Sequence, residues 1–272
     1  MDQVREVLRY HHYAYKTEIT YTNWILKFIK FNGTRHPKEM GKHEIERFLS
    51  HLAMNRNVAK NTQNQAMNAI FFLYKYVLNM PVNDKIEAVR TRKPKRLPTV
   101  LSRNEVARLI SIIKGTHQIM AKLLYGSGLR LMETVRLRVQ DLDFDNKQLM
   151  VRDGKGNKDR ATLLPDPIHS PLKIHLERVK ALHQKDLQNG YGSVYLPEAL
   201  GRKYTGAAKA WNWQYVFPSK NLSVDPRGGV VRRHHSNENT LQKAVRLAAN
   251  HAGITKRVTP HTLRHSFAPL EI

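Results

Sequence analysis

One stretch in the first half of the chain, Val89-Arg-Thr-Arg-Lys-Pro-Lys-Arg-Leu-Pro98, is basic, carries two prolines and has no apolar period. Proline lacks a backbone donor and pushes the preceding residue away from helical geometry, so neither a helix nor a central strand runs through this stretch. It reads as a linker over residues 89–98, dividing a domain over residues 1–88 from a larger one over residues 99–272. A basic run alone is ordinarily a solvated segment. Between two basic domains, Lys93, Lys95 and Arg96 are also placed to lie along a phosphate backbone.

The N-terminal part reads as helical. Thr20, Trp24, Phe28 and Ile29 fall near helical spacing, and Gly33 to Pro37 breaks that helix. Ile45, Phe48, Leu49 and Leu52 mark a second helix. Asn61 to Leu78 marks a third, with Ala66, Ile70, Leu73 and Val77 at steps of three and four and with Tyr74 and Tyr76 widening its apolar surface. A small helical bundle follows.

Beyond the linker, Ser102 and Glu105 form a capping-box pattern ahead of Val106, Leu109, Ile110 and Ile113. A helix over Ile119 to Tyr125 is interrupted by Gly126-Ser-Gly128, and Leu129 to Leu137 resumes it. Gln148–Arg152 and Arg160–Leu164 read as strands joined by a hairpin turn, Asp153-Gly-Lys-Gly-Asn-Lys158. Pro171 to Leu187 and Asn239 to His251 read as helices, the latter ended by Gly253. Thr259 and Pro260 form an N-cap and first-turn pair opening one more. Residues 191–219, rich in Gly, Tyr and Trp, show no assignable period. The expected class is mainly α with a small β-sheet (α+β).

Lysine and arginine number 46 against 22 acids, a formal charge of +24. A compact protein with that excess repels itself and fits a polyanionic partner, nucleic acid first and an anionic membrane surface second. No apolar run spans a bilayer, and the opening MDQVREVLRY lacks a signal-peptide layout, so a cytoplasmic setting is expected. The chain has no cysteine, which excludes disulfides and thiolate metal sites, and its 14 histidines show no HExxH spacing.

Three short features carry chemistry. Gly126-Ser-Gly-Leu-Arg130 places an arginine at a helix start after a glycine turn. Gly154-Lys155-Gly156 places a lysine on a hairpin tip. His261-Thr-Leu-Arg264 places a histidine and an arginine on one helix face. Guanidinium forks hold non-bridging phosphate oxygens and stay protonated. Two of them balance the charge that builds on five-coordinate phosphorus. Histidine exchanges a proton near neutrality, and a lysine on a turn can protonate a leaving alkoxide. No acidic pair for a divalent metal is evident, so phosphoryl transfer without metal or other cofactor is the consistent chemistry. Each feature alone is ordinarily a capping, solvated or structural one; the case rests on the three in this order.

That order, Arg130, Lys155, His261, Arg264, resembles the catalytic set of tyrosine recombinases. GSGLRLMETVRLRVQDLDF, GKGNKDR and TPHTLRHSFA each resemble that family's motifs, and the resemblance covers essentially the whole chain. A narrower resemblance is to integron integrases, which carry an insertion similar to Tyr195-Leu-Pro-Glu-Ala-Leu-Gly-Arg-Lys-Tyr204 through Trp211-Asn-Trp213 to Pro218. The resemblance implies a C-shaped clamp built from a SAM-like helical core-binding domain and a catalytic domain, acting on duplex sites and on folded single-stranded cassette sites. It implies a homotetramer on DNA in intact relatives, and it puts Trp213, Pro226, His234 and His235, beside Arg232 and Arg233, near bases that bulge from the hairpin. Stacking suits such bases, at roughly 1–3 kcal/mol each. Without the resemblance, Trp213 reads equally well as a core residue and His234-His235 as an exposed polar pair.

In the family, Arg130 and Arg264 would clamp the scissile phosphate, Lys155 would protonate the leaving 5′ oxygen, His261 would assist proton transfer, and a later tyrosine would form a 3′-phosphotyrosine bond. Here all 11 tyrosines precede Arg264, and Ala268-Pro-Leu-Glu-Ile272 closes the sequence. The proline at 269 also disfavours a continuing helix. The expectation is a C-terminally truncated member that binds DNA without cleaving it. A non-catalytic competitor of an intact recombinase and a generic basic RNA-binding protein are the alternatives.

Overall fold

The computed structural model describes residues 1–82, 85–91, 97–152, 158–196 and 198–267, the side chains of residues 198, 199 and 202 excepted. The chain divides into two compact units, residues 1–96 and 97–272. Lys93, Lys95 and Arg96 of the basic stretch, the turn holding Lys155, and the stretch with Pro269 lie outside the described residues.

Unit 1 is helical: α1 (Asp2–Tyr10), α2 (Tyr15–Phe31), α3 (Lys42–Met54) and α4 (Lys60–Phe72). The apolar stripes read from the sequence close on one another, with Ile25, Phe28, Ile45, Leu49 and Ile70 fully buried. Leu8 of α1, which recurs with Val4 and Val7 at helical spacing, joins them. Gly33, at φ +70°, ends α2 in the left-handed conformation that glycine adopts without strain. The third helix differs from expectation at its end. Leu73–Val77 forms a π turn after α4, and the register shift separates the two tyrosines. Tyr74 is buried and its hydroxyl donates to the carbonyl oxygens of Pro37 and Met40, both at 2.9 Å. Tyr76 stays exposed.

Unit 2 comprises α5 (Arg103–Ile112), α6 (Thr116–Gly126), α7 (Leu131–Arg136), α8 (Asp166–Gln188), α9 (Glu198–Lys203), α10 (Glu238–His251) and α11 (Pro260–His265). Between them lie an antiparallel sheet, β1 (Leu142–Asp143), β2 (Gln148–Val151) and β3 (Arg160–Leu163), and a hairpin, β4 (Ser223–Val224) with β5 (Val231–Arg232). The class is mainly helical with small sheets, as the sequence implies, with a second sheet added. The Ser102–Glu105 capping box forms, and Thr259 caps α11 by accepting from the Thr262 backbone. Helix α8 begins at Asp166, five residues before the expected Pro171, because Pro167 sits in the first turn where the missing donor costs nothing. The core centres on Leu123, Leu124, Leu149, Leu164, Val216, Leu241 and Leu263. Residues 191–219 build a satellite core on Val194, Leu196 and Tyr215.

Candidate active site and nucleic-acid interface

Arg130 is the N-cap of α7, and Glu133 is the third residue of that helix. The Glu133 carboxylate turns back on the helix start, where Oε2 accepts from the Arg130 backbone N–H at 2.8 Å and Oε1 from Arg130 Nη1 at 2.6 Å. Arg160, opening β3, donates to the same two oxygens through Nη1 at 3.1 Å and Nη2 at 2.7 Å. Arg264 Nη1 lies 3.7 Å from Glu133 Oε2. Three guanidiniums thus share one carboxylate. The glutamate side chain is 10% exposed, whereas Arg130, Arg160 and Arg264 remain 35%, 34% and 27% exposed, so the cluster presents positive charge outward. Burial alone pushes the Glu133 carboxyl up. The hydrogen bonds from Arg160 and from the Arg130 backbone and side chain outweigh it and hold the pKa at about 2. Burial and then the positive charge of Arg130 lower the pKa of Arg264, against the opposing pull of Glu133. An arginine in this position still stays protonated at neutral pH.

Helix α11 supplies Arg264 and His261. Its buried side, Thr262 and Leu263, fixes its rotation, and Arg264 Nη1 donates to the Gly128 carbonyl oxygen in the glycine turn before α7. Ser266 Oγ accepts from the Leu101 backbone and donates to the Thr262 carbonyl oxygen, both at 2.8 Å, which ties the end of α11 to the start of the unit. His261 is exposed and its ring makes no hydrogen bond among the described residues. The structure therefore brings Arg130 and Arg264 together on Glu133. Lys155 lies outside the described residues, but the flanking strands are paired through Val151 and Arg160.

Two part-exposed guanidiniums over one buried carboxylate leave a net positive charge at this opening, an arrangement whose chemistry suits an anion. Among the described residues no group of three or more histidines and carboxylates is placed to hold a metal ion.

A second cluster is aromatic. Trp213 is half-buried against Val194, Leu196 and Tyr215, so it combines a packing role with an exposed edge. The Arg138 guanidinium lies over the Trp213 ring at 5.6 Å and the Tyr215 ring at 4.7 Å, and donates to the carbonyl oxygens of Trp213 and Tyr195. His234 and His235 lie 4.0 Å apart between ring centres with their planes tilted by 37°, and both meet Tyr215 edge-on. His235 is buried, whereas His234 keeps an exposed face. Burial of the rest of His234, then the neighbouring His235 and Arg136, lowers its pKa to about 4. At neutral pH its ring is uncharged.

The other residues near this cluster take different roles. Arg233 faces inward: its guanidinium grips the buried Asp186 at 2.5 and 2.8 Å and donates to the carbonyl oxygens of Ser219 and Lys220. Arg232 is half-buried, 3.9 Å from Asp225. Pro226 is exposed at the tip of the β4–β5 hairpin, where Asp225 Oδ1 accepts from the backbones of Arg227 and Gly228.

Comparison with known proteins decides the family. Residues 99–269 match the sequence model described as "Phage integrase family", and residues 1–84 match "Phage integrase, N-terminal SAM-like domain". The chain belongs to the phage integrase family of tyrosine recombinases. It is 47% identical over 268 residues to an integrase/recombinase of Escherichia coli, covering 98% of this chain and 80% of that protein. It is 33% identical to the tyrosine recombinase XerA of Thermococcus kodakarensis, covering 85% of this chain and 84% of that one. A lambda integrase tetramer bound to a Holliday junction shares the fold with a TM-score of 0.60 at 12% identity, covering 97% of this chain and 67% of that one.

For a tyrosine recombinase, the residues that sequence reading passed over are Glu133, Arg160, Arg138 and Asp186. A signal existed for one. Glu133 stands three residues after Arg130 at a helix start, the spacing of a capping box. The partners of Arg160 and Arg138 lie 27 and 75 residues away in sequence, and no local pattern marks them.

Proposed function

We propose that this recombinase binds the DNA of recombination sites, with Arg130 and Arg264 holding one backbone phosphate and His261 and Lys155 beside it for proton transfer. The observation that carries this reading is the arginine cluster on Glu133, two of whose members come from the motif positions the resemblance assigns to phosphate. In the wider reaction a tyrosine attacks that phosphate and forms a 3′-phosphotyrosine bond, Lys155 gives the leaving 5′ oxygen its proton, and the arginines stabilise the charge at phosphorus. Among these 272 residues all 11 tyrosines precede Arg264, and none of them is assigned as the nucleophile.

We further propose that the sites are integron cassette sites, folded as single-stranded hairpins with extrahelical bases. The part-exposed Trp213 and His234 rings supply flat, uncharged surfaces suited to stacking, backed by the buried Tyr215, and Pro226 stands exposed on its hairpin. A positive surface charge of this size also makes binding steeply dependent on salt. Affinity for a cassette-site hairpin, a matched duplex and bulk RNA across a salt series tests the reading. Preference for the hairpin at every salt concentration supports it, and equal binding to RNA contradicts it.

A further inference from the structure

We infer that Arg160 is a positioning residue of the phosphate site: by occupying Glu133 it keeps Arg264 available to the phosphate. The inference rests on the reading of the arginine cluster as that site. Glu133 has two oxygens, each already accepting two hydrogen bonds, one from Arg130 and one from Arg160. A carboxylate has about four lone-pair sites, so the set is full. Arg264 is thereby left at 3.7 Å, inside ion-pair range and outside hydrogen-bond range, and takes the Gly128 carbonyl oxygen instead.

Arg160 wins this competition by shape. Its two Nη groups meet the two oxygens in parallel, the fork geometry that favours arginine over lysine at a carboxylate. Its strand is also fixed independently of Glu133. Thr162, two residues on, donates through Oγ1 to the Ser127 carbonyl oxygen at 2.9 Å, and Arg160 itself is paired with Val151 in the sheet. Without the Arg160 fork, two acceptor sites on Glu133 open with Arg264 as the nearest remaining cation. Arg264 then closes the gap and spends donors and charge on the glutamate that are otherwise offered to phosphate.

The test uses the full chain labelled with ¹⁵N-arginine, observing the Nε–H resonances of Arg130 and Arg264 during titration with inorganic phosphate at constant ionic strength. Arg130→Lys and Arg264→Lys assign the two resonances. In the parent both resonances are expected to shift and saturate together. Arg160→Gln is expected to weaken that binding about tenfold, the size of ordinary coupling between groups in contact. Arg160→Lys keeps the charge and loses the fork, so it is expected to weaken binding nearly as much. Glu133→Gln in the Arg160→Gln background removes the competitor, leaves no buried charge unpaired and restores the cluster's net charge. This double variant is expected to bind phosphate more tightly than Arg160→Gln, because Arg264 no longer has a carboxylate to close on.

Parent-like affinity in Arg160→Lys shows that net charge alone matters and overturns the inference. A double variant as weak as Arg160→Gln shows a general structural role and overturns it too. If neither resonance of the parent responds to phosphate, the phosphate-site reading itself fails, which is a distinct outcome visible before any Arg160 variant is made.

Discussion

Arg264 Nη1 donates to the backbone carbonyl oxygen of Gly128, 136 residues away in the sequence, and this bond joins the last described helix to the turn that launches Arg130. Gly128 sits at φ +60°, and a Cβ there would stand 3.2 Å from the Phe267 ring. The turn therefore favours glycine for its left-handed backbone, and a Cβ there would also press on the half-exposed Phe267 ring.

Gly128→Ala is expected to destabilise unit 2 by about 1–2 kcal/mol through the left-handed backbone alone. Displacement of Phe267 adds to this and moves Arg264 from its acceptor. Chemical denaturation measures the first effect. Affinity for site DNA, compared with that of a control alanine substitution of similar stability cost, measures the second. A variant of parental stability and affinity removes the turn from the site.

The low pKa of Glu133 makes a pH prediction with a definite sign. Its folded-state value of about 2 lies below the ordinary 4.5, so ionised Glu133 contributes stability that is fully present above about pH 4.5. That contribution is lost as pH falls towards 2, and amounts to about 3 kcal/mol at roughly 1.4 kcal/mol per pKa unit. The stability difference between the parent and Glu133→Gln is expected to shrink steadily between pH 5 and pH 2. A difference constant across that range contradicts the assignment of Glu133 as an ionised hub.

Asp186 and Arg233 form a buried pair with side chains 7% and 13% exposed. Arg233→Ala leaves the aspartate charge uncompensated and is expected to cost about 3–5 kcal/mol of stability, with DNA affinity per folded molecule little changed. Thermal unfolding and active-fraction-corrected binding separate the two. Full stability with lost affinity would return Arg233 to the DNA surface.

The aromatic cluster predicts a substrate-dependent loss. Trp213→Ala and His234→Ala are each expected to weaken binding to a hairpin with extrahelical bases more than binding to a matched duplex. Since burial and positive neighbours hold the His234 pKa at about 4, its ring is neutral during binding at pH 7. Its NMR titration is expected to centre near pH 4, and His234→Ala is expected to leave the salt dependence unchanged. Equal losses on both substrates would make Trp213 a packing residue.

What could be read from the sequence was local. Ser102 with Glu105, and Thr259 with Pro260, announce helix starts through contacts within four residues. The alternation in Gln148–Arg152 and Arg160–Leu164 announces β2 and β3. The tertiary contacts did not announce themselves: Arg160 reaches Glu133, Arg138 reaches Trp213, and Arg233 reaches Asp186 only because packing folds distant segments together. The π turn after α4 keeps a helical hydrophobic period while changing which tyrosine is buried, so periodicity merges the two. The β4–β5 hairpin carries a turn signal of its own, Asp225-Pro-Arg-Gly-Gly229 flanked by Val224 and Val230.

The central claim is that Arg130 and Arg264 hold one phosphate of the bound DNA. Replacing each phosphate of a cassette-site hairpin in turn by an uncharged methylphosphonate tests it most directly, with affinity measured for the parent and for Arg264→Ala. The account predicts one position at which neutralisation weakens parental binding about tenfold, within the range of one charge-assisted hydrogen-bonded contact, and at which Arg264→Ala shows no further loss. A loss spread evenly over all positions, or a sensitive position that persists unchanged in Arg264→Ala, would contradict it.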